Sequence, residues 1–313
     1  MKGYLRAIGL PYGTAALTEF GQAVPTAEQQ AQLEESVVRQ SIAAGASVIA
    51  LNTFGARRAE VPGAFVGAKI GAIANLIRQN PEITWALACG PSGDCYKPET
   101  GLTREEAKEF HARQLANLGS LVKVAPSNNM VLFETFPGLE EAIGAAQAVK
   151  ALSKQINKNI KAVLSFALGP DGKLRSGETL RQAIKEIDQY SDGVLAGFGA
   201  NCCDLDAVNA GVATLDDAKR RFTTVYPNAA KGDPARLDGC NSVVGLQNPG
   251  EVYRGFAELL QHNPQITTVG GCCGWDQAAL AGLTRHLGIV GVNPGSAQTA
   301  ATQRPLEIQI ASY

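Results

Sequence analysis

The sequence lacks long apolar runs and has no excess of charge of either sign. No segment approaches the roughly 20 consecutive apolar residues of a membrane-spanning helix, and the first residues lack the apolar stretch and cleavage site of a signal peptide. The 28 Lys and Arg residues nearly balance the 29 Asp and Glu residues, for a formal net charge of -1. This balance leaves no basic field to hold nucleic acid or an anionic membrane. We therefore expect a cytoplasmic protein with small-molecule partners, and homo-oligomerisation stays open.

Several common catalytic motifs are also absent. The sequence contains no P-loop, G-x-S-x-G or H-E-x-x-H motif, and GFGANC at 197–202 only begins like a dinucleotide-binding fingerprint. His111, His262 and His286 fall in helical segments that are predicted to lie outside the sheet, as surface or packing residues. The sequence therefore offers no obvious histidine as a general base.

Eight short apolar runs of β character alternate with segments whose apolar residues recur at helical spacing. The predicted strands are Tyr4–Leu10, Ser47–Phe54, Thr84–Cys89, Met130–Phe136, Ala162–Leu168, Val194–Ala200, Phe222–Tyr226 and Thr267–Gly271. Repeated βα units imply a parallel sheet, and eight units close a (β/α)8 barrel, with an open doubly wound sheet as the alternative. No Pro/Gly/Ser-rich linker divides the chain. We therefore predict an α/β fold, a single-domain (β/α)8 TIM barrel over residues 1–295, followed by a C-terminal tail at 296–313.

Four of the seven cysteines form two adjacent pairs, Cys202-Cys203 and Cys272-Cys273, and each pair follows a predicted strand. The carboxyl ends of the strands in a parallel barrel open onto one mouth, so the two pairs should meet there. Cys202 is preferred over Cys203 because it directly follows the strand, whereas the next residue would project the opposite way. The alternative is that these cysteines are small buried apolar residues.

Three thiolates, from Cys202, Cys272 and Cys273, can hold a tetrahedral Zn²⁺ and leave the fourth position for a ligand. A substrate thiol in that position would lose its proton at neutral pH and could attack an electrophilic carbon. The sequence therefore predicts alkylation of a sulfur atom.

The motif GANC at 199–202, together with GGCCG at 270–274, resembles the homocysteine S-methyltransferase family of zinc-dependent (β/α)8 enzymes. LFETFPGLEEA at 132–142, SFALGPDGKLRSGETL at 165–180, VYPNA at 225–229 and the run AGASVIALNTF that ends at Phe54 are similar in the same order. The resemblance covers roughly residues 3–290. It implies methyl transfer from a sulfonium or ammonium donor to homocysteine, giving methionine, with the three cysteines as zinc ligands.

The resemblance also implies substrate-binding residues. Glu134 matches the family acid that receives the amino group of homocysteine, and a carboxylate at a barrel mouth suits an ammonium group; a salt-bridged acid at a strand end is the alternative. Asn201 either orders the ligand cysteine or contacts substrate, unless it only caps the local backbone. Asn52 and Thr53, at the end of the second predicted strand, are further pocket candidates.

The first predicted strand ends in Gly9-Leu10-Pro11-Tyr12-Gly13-Thr14, where the family has an acidic, glycine-rich turn. Because of this difference, one alternative is a methyltransferase whose acceptor is another thiol or a selenol. A second alternative is a zinc-binding barrel without catalytic activity. We expect no separate cobalamin or folate domain after the eighth unit, which favours S-methylmethionine or S-adenosylmethionine as the donor.

Overall fold

Nine parallel strands form a curved sheet, and each of the first eight is followed along the chain by helix. The computed structural model describes residues 5–8, 27–59, 62–98, 102–236, 245–289 and 307–309. The strands are Leu5–Ile8 (β1), Val48–Ala50 (β2), Thr84–Cys89 (β3), Asn129–Phe136 (β4), Ala162–Phe166 (β5), Gly197–Asn201 (β6), Phe222–Tyr226 (β7), Thr268–Gly270 (β8) and Glu307–Gln309 (β9).

The strand order is β2-β3-β4-β5-β6-β7-β8-β1-β9, and every pair of neighbours is parallel. The sheet therefore returns from β8 to β1, as in a barrel of βα units. This confirms the predicted fold class, a single-domain α/β fold of the (β/α)8 type. The additional strand β9 pairs with β1 and lies within the stretch predicted as a tail. The domain boundary at residue 295 stays a prediction.

Helices cover the outer face of the sheet. The α-helices are Ala27–Ala43 (α1), Pro62–Ala72 (α2), Ala74–Gln79 (α3), Arg104–Leu115 (α4), Leu118–Val124 (α5), Leu139–Gln155 (α6), Leu180–Ser191 (α7), Leu205–Val212 (α8), Pro249–His262 (α9) and Gln277–Leu287 (α10). Thr103 and Thr179 begin α4 and α7 with capping boxes, in which the threonine and the third helical residue bond each other's backbone N–H. None of the described helices is long and apolar enough to cross a membrane.

Most predicted strands are confirmed, and two of them, β3 and β7, have the predicted bounds. The second strand is shorter than predicted because the chain leaves the sheet after Ala50 and enters a 3-10 helix at Phe54–Arg58. His262 and His286 are exposed, as expected for outer helices. His111 is instead fully buried, with its ring centroid 5.6 Å from that of Phe133 and 5.1 Å from that of Phe136.

Candidate metal centre and substrate pocket

Three cysteine sulfurs meet where β6 and β8 end. The Sγ of Cys202 lies 2.7 Å from that of Cys272 and 3.9 Å from that of Cys273, and the last two are also 3.9 Å apart. Cys202 and Cys272 are buried, and Cys273 is partly buried. In the part of the chain that the structure describes, the ligand atoms of these three cysteines lie within 4.8 Å of one another, close enough to hold one metal ion.

The backbone around these cysteines turns sharply. Cys202 has a φ of 48°, and Gly274 has a φ of 81° just after the second pair. Gly271 is required for packing, because a Cβ there would lie 1.9 Å from the ring of Trp275. The turn is also fixed by the segment after β7, since the Cys272 N–H donates to the Pro227 carbonyl at 2.8 Å.

The other cysteines that the structure describes lie outside the cluster. Cys203 is buried, and its burial raises the pKa of the thiol to about 12. Burial also raises the pKa of Cys95 to about 12, and its sulfur lies 3.8 Å from the Arg57 guanidinium. The structure thus places Cys202, rather than its neighbour Cys203, beside Cys272 and Cys273. Cys240 lies outside the described residues.

The donor set fits zinc. With Zn–S bonds of about 2.3 Å, two sulfurs of a tetrahedral site are roughly 3.8 Å apart. Two of the three sulfur–sulfur distances are 3.9 Å, and the third must open by about 1 Å. Burial raises the pKa of Cys272 well above that of an ordinary thiol, so a nearby cation is required to keep it a thiolate.

Glu134 provides a carboxylate next to the sulfur cluster. Its side chain is fully buried, and neither carboxylate oxygen has a hydrogen-bond partner among the described residues. Burial raises its pKa well above the usual value, and the neighbouring Cys202 raises it further. A buried, unpaired acid is costly unless a ligand pairs with it, so Glu134 has the properties of a binding group.

Sequence reasoning missed Ser165 and Tyr226, whose side chains share these features. Both are fully buried, and apart from their closeness to each other neither hydroxyl has a hydrogen-bond partner in the described part of the chain. Ser165 lies in β5 beside the β4 irregularity that contains Glu134, and Tyr226 pairs in register with Asn201. Burial raises the pKa of Tyr226, and the charge of the nearby Glu134 raises it further. Polar residues in otherwise apolar strands, LSF and VYP, were the available signal.

The remaining predicted residues are held by protein groups. Asn201 is fully buried, and its amide bonds Thr135. Thr53 donates its hydroxyl to the Ala88 carbonyl and accepts the Ala88 N–H, both at 2.9 Å, so it ties the end of β2 to β3. Asn52 donates to Glu34 at 3.1 Å, and Glu34 is also paired with Lys69.

Contacts of Asn52 and Thr53 with substrate stay predictions. The altered turn at residues 9–14 lies outside the described residues.

A parallel α/β barrel with three cysteines at its mouth defines a class of candidate metal-binding barrel enzymes. Comparison with known proteins is more specific. The chain matches the family model "Homocysteine S-methyltransferase" over residues 16–287. It therefore belongs to the homocysteine S-methyltransferase family and is an enzyme that transfers methyl groups.

Solved structures agree with this fold. The metallated form of the homocysteine methyltransferase MmuM from Escherichia coli has a TM-score of 0.66 and 18% identity, covering 91% of this chain and 96% of that chain. The oxidized form of MmuM also has a TM-score of 0.66, with 20% identity and the same coverage. No curated protein matches the sequence.

Proposed function

We propose that the protein is a zinc-dependent S-methyltransferase that moves a methyl group from S-methylmethionine or S-adenosylmethionine to homocysteine, forming methionine. The observation that carries this proposal is the convergence of three cysteine sulfurs at the barrel mouth of a chain that belongs to this family. Cys202, Cys272 and Cys273 would hold the zinc ion. When bound, the ion would lower the pKa of the acceptor thiol, so that the thiolate is present at neutral pH.

The acceptor would be oriented by its amino group. Glu134 offers a buried carboxylate without a partner in the described residues, and the buried hydroxyls of Ser165 and Tyr226 have there no partner beyond each other. An ammonium group carries three N–H donors and needs acceptors of this kind. The side chains of three strands would therefore fix the amino end of homocysteine while its sulfur reaches the cysteines.

The donor would be a sulfonium compound. The thiolate sulfur of the acceptor attacks the methyl carbon in line with the bond to the donor sulfur. A new C–S bond forms as the old one breaks, and the donor leaves as a neutral thioether. The thiol proton has already passed to solvent. Three thiolates exceed the charge of one Zn²⁺ ion, so the loaded cluster would stay negative, which favours a cationic donor in the same mouth.

The test is to measure zinc content and methyl transfer on the same purified, reduced samples. Wild type should contain about one zinc per chain and form methionine from homocysteine with one of the two donors. Cys272→Ser should lose tight zinc binding and activity together. Cys203→Ser is the matched control, because Cys203 is also a buried cysteine but lies outside the cluster.

Each result bears on a separate part of the proposal. Retention of zinc and activity in Cys272→Ser would refute the assignment of the ligands. Bound zinc with no methylation of homocysteine, but transfer to another thiol or a selenol, would refute the acceptor. Zinc without transfer to any acceptor would indicate a non-catalytic zinc-binding barrel.

A further inference from the structure

The side chain of Asn201 joins two strands at the candidate site. Its Oδ1 accepts the backbone N–H of Thr135 at 2.9 Å, and its Nδ2 donates to the Thr135 hydroxyl at 2.9 Å. The same Nδ2 lies 3.9 Å from the Sγ of Cys272. All three residues are buried, with Asn201 and Cys272 fully so. One amide therefore contacts both the strand that carries Glu134 and a cysteine of the cluster.

Thr135 has an unusual backbone conformation. Its φ is 64°, in the left-handed region, which a β-branched residue rarely occupies. The register of β4 with β5 shifts between Phe133 and Phe136, so that β4 contains one extra residue there. A conformation of this kind persists only where the surroundings enforce it. The two hydrogen bonds between Asn201 and Thr135 are made at this position, one to the backbone N–H and one to the side chain.

The extra residue lets β4 present Glu134 to one face of the sheet and the two phenylalanines around it to the other. In a regular strand, residues three positions apart face opposite sides of the sheet. Phe133 and Phe136 nevertheless both pack against the ring of His111 on α4, the helical side of the sheet. Glu134 follows the outward-facing Phe133 and so faces the barrel interior, close enough to Cys202 that the sulfur raises its pKa. The bulge then restores the outward direction at Phe136.

We propose that Asn201 is a positioning residue, which holds Thr135 in the left-handed conformation and so aims the Glu134 carboxylate at the amino group of a thiol acceptor beside the cysteines. The use of Glu134 rests on the proposed function, whereas the contact between Asn201 and Thr135 does not. Asparagine suits this role because one short side chain supplies both an acceptor and a donor. Aspartate would keep only the acceptor.

The experiment compares Asn201→Ala, Thr135→Gly and the double variant with wild type. Two acceptors are used, homocysteine and 4-mercaptobutyrate, which has the same thiol but no amino group. Asn201→Ala should lower kcat/KM for homocysteine at least tenfold, mainly through KM, and should affect 4-mercaptobutyrate less than threefold. Because glycine adopts a positive φ without strain, adding Thr135→Gly should restore at least threefold of the loss.

Two further measurements separate positioning from general damage. Zinc content should stay at about one per chain in Asn201→Ala, and calorimetry should show weaker binding of homocysteine to the zinc-loaded protein. Asn263→Ala is the matched control, because Asn263 is a buried asparagine that bonds the Leu259 carbonyl at the end of α9. Its effect should be equal for the two acceptors.

Equal losses for both acceptors in Asn201→Ala, or no recovery in the double variant, would overturn the proposal. If wild type binds zinc but methylates no thiol, the proposed function fails. Wild type, the two single variants and the double variant then still test the contact between Asn201 and Thr135. The thermal midpoint of the double variant should then lie above the value obtained by adding the two single shifts. Additive shifts would overturn the role of Asn201.

Discussion

Substitution of Glu134 by glutamine should separate recognition of the amino group from activation of the thiol. The change keeps the shape of the side chain and removes its charge. Hydrogen bonds to charged groups contribute about 1.5–3 kcal/mol, which corresponds to a loss of roughly 10- to 150-fold in kcat/KM. Glu134 is fully buried and has no competing partner among the described residues. We therefore expect a loss near the upper end, about 100-fold, for homocysteine.

The assay measures initial rates with homocysteine and with 4-mercaptobutyrate at fixed donor concentration. The Glu134→Gln variant should lose activity toward homocysteine and retain that of wild type toward 4-mercaptobutyrate within a few-fold. Its zinc content should not change, because the carboxylate is not one of the three sulfur ligands. An equal loss with both acceptors, or no loss with homocysteine, would refute the assignment of Glu134 to the amino group.

Glu141→Gln is a control for the loss of a buried acid. Glu141 is buried on α6, where it accepts from the Ser92 N–H at 2.5 Å and lies 3.2 Å from His111 Nε2. Its replacement should destabilise the fold, because these partners are protein groups. The ratio of activities with the two acceptors should not change.

Three other predictions concern packing and charge. Gly271→Ala places a Cβ 1.9 Å from the Trp275 ring and should lower the free energy of unfolding, measured in urea, by about 1–3 kcal/mol. An unchanged midpoint of urea unfolding would contradict this. His111→Ala should cost about 3 kcal/mol or more in the same assay, because it opens a buried space and leaves Glu141 without its imidazole; a cost below about 1 kcal/mol would contradict this. A hydrogen bond from a lysine and a weaker effect of a second one from an arginine lower the pKa of Asp217 from 3.8 to about 2. The ionised carboxylate therefore stabilises the fold above pH 3.8, and this stabilisation is lost as the pH falls through 2. In metal-free protein, Asp217→Asn should therefore lower the thermal midpoint at pH 5 but not at pH 2, and equal shifts at both would exclude this linkage.

The sequence was sufficient to predict the number and order of the βα units. Strands such as β3 and β7, TWALAC and FTTVY, are runs of five or six residues made of apolar residues and β-branched threonine. The preference for Cys202 over Cys203 followed from the alternation of side chains along a strand. These patterns lie within a few neighbouring residues, so they can be read without knowledge of distant contacts.

The tertiary structure decided the contents of the pocket. Asn52 and Thr53 end the second predicted strand, yet they bond Glu34 and the backbone of Ala88. Ser165 and Tyr226 became candidates only when the structure showed that their hydroxyls are buried with no partner in the described residues beyond each other. The sequence of one strand does not reveal whether a neighbouring strand satisfies its polar groups.

The β4 bulge illustrates the physical reason for this division. Alternation alone predicts that Phe133 and Phe136 face opposite sides, and nothing in FETF signals an extra residue. The backbone N–H of Thr135 bonds an amide 66 positions away in the sequence, which comes close only because β4 and β6 belong to one curved sheet. Local pattern thus determined the strands and the cysteines at their ends, whereas only the tertiary structure revealed the extra residue after Glu134 and the distant amide that bonds it.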